Sequence, residues 1–151
     1  MTEPVRIEVQ IGPVRLAVLG WAYPEALIDW DADRLLVNAV CVGNRSRVEA
    51  RGDIVPPLSF RQFGAALKQM HATFSGEARL ETHDPDLKVV LKMSNGLGHI
   101  RGLIEISAVY ESERHSFEFS SLDQTDLLRL IAEVSRITSM CPSAIAARDG
   151  A

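Results

Sequence analysis

The sequence predicts an α+β domain: an antiparallel β-sheet of six to eight strands with two amphipathic helices packed against it. Three observations predict this. Short segments that alternate apolar and polar residues come in two contiguous runs, the period-two signature of strands with one wet face. Each run is followed by a segment with apolar residues every third or fourth position, so each helix offers one apolar face to a sheet. Regular βαβ alternation, the mark of a parallel sheet, is not seen.

Val5, Ile7, Val9 and Ile11 alternate with Arg6, Glu8 and Gln10 until Gly12-Pro13, and Val14, Leu16 and Val18 resume the pattern, so residues 5–20 read as a hairpin. Trp21 to Asp33 has no clear period and holds Pro24, Asp29, Asp31 and Asp33, which predicts a loop with one short helical turn. Arg34 to Val42 is almost continuously apolar and too short for a typical helix, as expected of a central strand buried on both faces. Ser46 to Ile54 alternates again as its antiparallel partner, and Pro56-Pro57 stops the sheet.

Phe60, Phe63, Leu67, Met70 and Phe74 define the apolar face of the first helix, with Ser59 as the expected N-cap and Gly76 as the C-terminal stop. Strand patterns follow at Ala78–Thr82, Leu87–Met93, Ile100–Tyr110 and Ser116–Ser120. Ser94-Asn95-Gly96 and the polar Glu111–Arg114 are turn signals between the last three. The second helix is expected from Leu122, with Ser121 and Gln124 as a capping box and Asp123 and Asp126 in the first turn. Leu127, Leu130, Ile131, Val134, Ile137 and Cys141 form its apolar face, and Pro142 ends it.

With 151 residues, 46% hydrophobic and 24% charged, the chain fits one domain spanning 1–151, with a core from about 5 to 142 and a frayed tail over 143–151. A chain of this length buries roughly 68–70% of its unfolded surface, so no metal or disulfide staple is needed. Sixteen Lys and Arg against twenty Asp and Glu give a net charge of −4, without a basic block. That argues against nucleic acid, whose binding draws on clustered cations, and favours a basic partner. The start, Met1-Thr2-Glu3-Pro4, lacks a signal-peptide flank, and no apolar run approaches the roughly 20 residues of a membrane helix. A cytoplasmic, non-membrane protein is expected, with Cys41 and Cys141 as buried thiols.

Candidate chemistry is sparse. Gly96-Leu97-Gly98-His99-Ile100-Arg101-Gly102 has the wrong third spacing for a dinucleotide loop and leads into a strand, so it reads as a hairpin turn. Simple meander pairing puts His99 near Lys92 and His115 near Tyr110, which scatters His83, His99 and His115 and leaves no metal set. No serine sits in a nucleophile-elbow motif. Catalytic, cofactor and metal sites are therefore expected to be none, and the protein is not expected to be an enzyme. Arg51-Gly52-Asp53 reads as a coincidental tripeptide. Two acidic stretches remain, Asp29, Asp31 and Asp33 around Trp30, and Asp84 and Asp86 around Pro85. Either a solvated rim or a docking surface suits them, and Trp21, Tyr23 and Trp30 read as a core cap or an interface anchor.

Several short motifs occur in an order that resembles the WapI family of bacterial immunity proteins. They are Trp30-Asp31 through Asp33-Arg34-Leu35-Leu36-Val37-Asn38, Pro57-Leu58-Ser59-Phe60, Gly76-Glu77-Ala78-Arg79-Leu80, Asp84-Pro85-Asp86-Leu87, Gly98-His99-Ile100 and Asp123-Gln124-Thr125. The resemblance covers about residues 5–142. It departs from the family pattern at Asp33-Arg34-Leu35-Leu36, where family members carry Asn-Trp-Leu after the Asp. The resemblance implies a small cytoplasmic antidote that binds the toxic C-terminal domain of a contact-delivered toxin without catalysis. Asp29, Trp30, Asp31, Asp33, Asp84 and Asp86 are then the expected partner-binding residues. A small-ligand-binding domain or an oligomerising module, such as a homodimer, is the alternative.

Overall fold

A computed structural model describes residues 6–23, 34–82, 87–93, 98–109 and 112–141. Among them the strands are β1 (Ile7–Ile11), β2 (Val14–Trp21), β3 (Leu35–Val42), β4 (Arg47–Val55), β5 (Gly76–Glu81), β6 (Leu87–Met93), β7 (His99–Val109) and β8 (Glu113–Asp123). Helix α1 spans Pro57–Thr73 and α2 spans Gln124–Met140. The α+β class and its antiparallel pairing hold, but the eight strands divide into two sheets of four, ordered β1-β2-β3-β4 and β5-β6-β7-β8. The expected single sheet is corrected for a physical reason. Pro56 and Pro57 end β4 and open α1, which carries the chain away, so β5 pairs with β6 and not with β4.

One apolar cluster unites the two inner faces and both helices. Its boundary closes on itself: α2 packs on β1, β4 lies against β7, α1 packs on β5, and the helices pack on each other. Gly64 of α1 lets them approach closely, since a Cβ there would stand 3.1 Å from Val134 Cγ1 of α2. The open edge of β1 is covered by side chains of α2. Arg129 donates to the Gln10 carbonyl at 3.0 Å, the Gln10 amide donates to Glu133 at 3.4 Å, and Arg129 and Glu133 bond each other at 2.9 Å. A strand edge is thereby satisfied without a further strand.

Strand β3 departs from its expected burial on both faces. Leu35, Val37, Ala39 and Cys41 are buried, whereas Leu36, Asn38 and Val40 are half-buried and Val42 is exposed. Both helices pack on the core side, so the outer face of the first sheet stays open. The caps also shift. Pro56 is the N-cap of α1 with Pro57 at its first position, and Ser59 lies inside the helix. Phe74, expected on the apolar face, instead ends α1 in the left-handed region at φ 54° and is exposed, while Gly76 opens β5. Strand β8 runs through Asp123, which replaces Ser121 as N-cap of α2, and the capping box is closed by Asp126 and not Gln124.

Phe119 of β8 fills the space left by two glycines. A Cβ on Gly102 of β7 or on Gly12 of the β1–β2 turn would overlap its ring. Gly12 also has φ +55°, so its hydrogen side chain serves both the turn and the close approach. Cys41 and Cys141 are buried free thiols, and burial pushes the Cys41 thiol up to about 11.

Candidate protein-binding surface

The predicted partner-binding residues Asp29, Trp30, Asp31, Asp33, Asp84 and Asp86 lie outside the described residues, as do His83 and the Ser94–Gly96 turn. The residues that flank the two acidic stretches are described, and they converge. Strand β2 ends at Trp21 opposite Leu35, the first residue of β3, and the Ala22 amide donates to the Arg34 carbonyl at 2.7 Å. Leu35 also pairs with Val55, the last residue of β4. Pro56 alone separates Val55 from α1. Two residues into that helix, the Ser59 hydroxyl donates to the carbonyl of Glu81, the last residue of β5, at 2.7 Å. Thr82 then donates to the carbonyl of Leu87, where β6 begins, at 3.3 Å. The roots of both acidic stretches therefore stand at the end of the molecule where α1 starts. Of the aromatic residues there, Trp21 is partly buried and packs against the core, as a cap does, while Tyr23 is 46% exposed.

The ladders keep His99 and His115 apart. Lys92 of β6 pairs with Arg101, two residues beyond the His99 expected opposite it, and His115 of β8 pairs with Ile106 in place of Tyr110. In the second case the hairpin turns earlier than expected, since Val109 already pairs with Glu113. The Asp123 carboxyl is held below the usual carboxylate range, chiefly by the Thr125 hydroxyl and then by the Thr125 amide, which both donate to it. These contacts complete the α2 cap.

The outer faces of the sheets carry two depressions. One, of about 490 Å³, lies over β6, β7 and β8 and mixes Lys92 and Arg101 with Glu118 beside Phe119. The other, of about 570 Å³, lies over β1, β2 and β3. Its floor includes Ala17, Asn38 and Val40, and its rim includes Arg6, Gln10, Arg15 and Arg47. Reading the sequence segment by segment missed this rim, because its arginines are isolated polar positions of three separate stretches. Only the register that pairs Ala17 with Asn38 and Val42 with Arg47 brings them to one face.

The immunity protein WapI-like family model matches residues 7–142, which takes in every described strand and helix. This chain belongs to that family. The resemblance drawn from the short motifs therefore holds at the level of the family. The WapI-like match begins with β1 and ends one residue after Cys141, so it spans both sheets and both helices. No curated protein matches the chain. No helix among the described residues is long and apolar enough to cross a membrane.

Proposed function

We propose that this WapI-like protein is a non-catalytic cytoplasmic antidote that binds and neutralises the C-terminal toxic domain of a contact-delivered toxin. The family match over residues 7–142 carries this reading. The convergence of the roots of both acidic stretches supports a contact surface at the start of α1, comprising Asp29, Trp30, Asp31, Asp33, Asp84 and Asp86. The physical logic is charge complementarity. A toxin that cleaves nucleic acid holds phosphate with a basic surface, and carboxylates covering that surface exclude its substrate. They also speed the encounter, more so at low salt. Such an inhibitor needs a stable scaffold and no reacting groups.

The test is co-purification of the tagged protein with the product of the adjacent gene, followed by co-expression of the two. Recovery of a toxin whose lethality is suppressed supports the proposal. Replacing the five aspartates by asparagine then slows association and flattens its salt dependence. Recovery of the bait alone, without a toxin-like neighbour, overturns the antidote reading, and an unchanged salt dependence in the variant overturns the surface.

A further inference from the structure

A second surface of opposite character lies on the outer face of the first sheet. Strand β2 runs eight residues from Val14 to Trp21, about 25 Å at the usual rise of a strand. At its Trp21 end are the roots of the acidic stretches. Pro13, Val42 and Arg47 at its Val14 end border a depression that runs across the face past Arg15 to Arg6, next to the Ile7–Val18 pair. Arg6 bonds Glu8 at 2.9 Å and Arg47 bonds Glu49 at 3.3 Å, while Arg15 donates to Gln10 at 3.2 Å. Each guanidinium carries five N–H donors, so these contacts leave most donors directed to solvent or to a partner. Three arginines with two carboxylates make this rim cationic on a chain whose net charge is −4.

The floor is formed by Ala17, Asn38 and Val40. Val42, farther along β3 on the same face, is 53% exposed and offers apolar contact. Inorganic phosphate answers the arginines but brings nothing to Val42. An extended peptide turns every second side chain toward the sheet, so carboxylates and an apolar side chain at positions i, i+2 and i+4 meet the arginines and Val42 together.

We propose that the outer face of the first sheet is a docking site for an extended acidic segment of a protein partner. Carboxylates of that segment pair with Arg15 and Arg47, and an apolar side chain on the same face of the segment packs on Val42. This surface is independent of the acidic contact at the start of α1, and either can fail without the other.

The test uses the full chain labelled with nitrogen-15 and a capped six-residue peptide, Asp-Ser-Val-Ser-Asp-Ser, whose Asp and Val side chains share one face when extended. Titration is expected to give saturable shifts at Ala17, Asn38 and Val40 and at the Asn38 side-chain amide. Arg47→Gln weakens that binding about tenfold, as loss of a charge-assisted bond does, while amide signals of β5 to β8 stay in place. The matching peptide with Lys in place of Asp causes no shift. Three results overturn the proposal: no saturable shift, shifts spread equally over other exposed arginines such as Arg61, or the same shifts at the same affinity with inorganic phosphate. Because no toxin is present, the outcome is separate from that of the antidote test.

Discussion

The Ser59 hydroxyl donates to the Glu81 carbonyl across 2.7 Å, linking the first turn of α1 to the last residue of β5. Twenty-two positions separate the two in sequence. With the Leu35–Val55 pair, this bond makes the start of α1 a common root for both acidic stretches.

Ser59→Ala removes that bond and leaves the Glu81 carbonyl to solvent. A loss of about 0.5–1.5 kcal/mol is expected, the net worth of a typical intramolecular hydrogen bond. Urea unfolding measures it, and amide exchange at the β5 end should quicken in the same variant. An unchanged midpoint with unchanged exchange would remove the bond from any structural role.

Gly102→Ala places a methyl group where the Phe119 ring already lies. Overpacking of this kind costs about 1–3 kcal/mol. The double variant Gly102→Ala/Phe119→Leu should recover part of the loss, because the smaller side chain can move aside. Thermal melts of the two singles and the double form the cycle, and additivity of the single effects is the contrary outcome.

Phe74 holds a left-handed conformation at φ 54° while 41% exposed. For a residue with a Cβ that region costs roughly 1–2 kcal/mol, and glycine occupies it freely. Phe74→Gly should therefore raise stability by up to about 1 kcal/mol after its remaining apolar contacts are lost. Urea midpoints of the two proteins decide it, since a lower midpoint means that the ring contributes more than the strain it tolerates.

Asp123 sets an acid limit on α2. Its folded carboxyl lies below the ordinary 3.8, held down first by the Thr125 hydroxyl and then by the Thr125 amide. A depressed folded value gives stability that is complete above 3.8 and is lost as pH falls through the folded value. Asp123→Asn keeps a capping side chain but no titration, so its stability should vary less with pH below 3.8 than that of the parent. Parallel acid-unfolding curves for the two proteins would show that the cap carries no pH dependence.

Much of the fold could be read directly. The alternation in Val5–Ile11 and Val14–Val18 is local and fixes strand faces, and the three-and-four spacing of Phe60, Phe63, Leu67 and Met70 matches the buried side of α1. Where reading failed, the competing residue was a neighbour with better geometry. Pro56 and Pro57 displaced Ser59 as the helix start, and Asp123 displaced Ser121 once β8 ran three residues further. The acidic residues chosen as contacts were legible as charges alone, since a carboxylate run has no periodicity that places it.

Amino-acid order alone was enough for the α+β class, the succession of strands and helices, and the motifs of the WapI-like family, because each rests on residues close in the chain. The division into two four-stranded sheets, the open outer face of β3 and the gathering of Arg6, Arg15 and Arg47 around Asn38 were settled by folding. Alternating strands have the same pattern whichever partner they take. The partner follows from where α1 carries the chain and how one core closes between two sheets and two helices, which are free energies of the whole packed molecule.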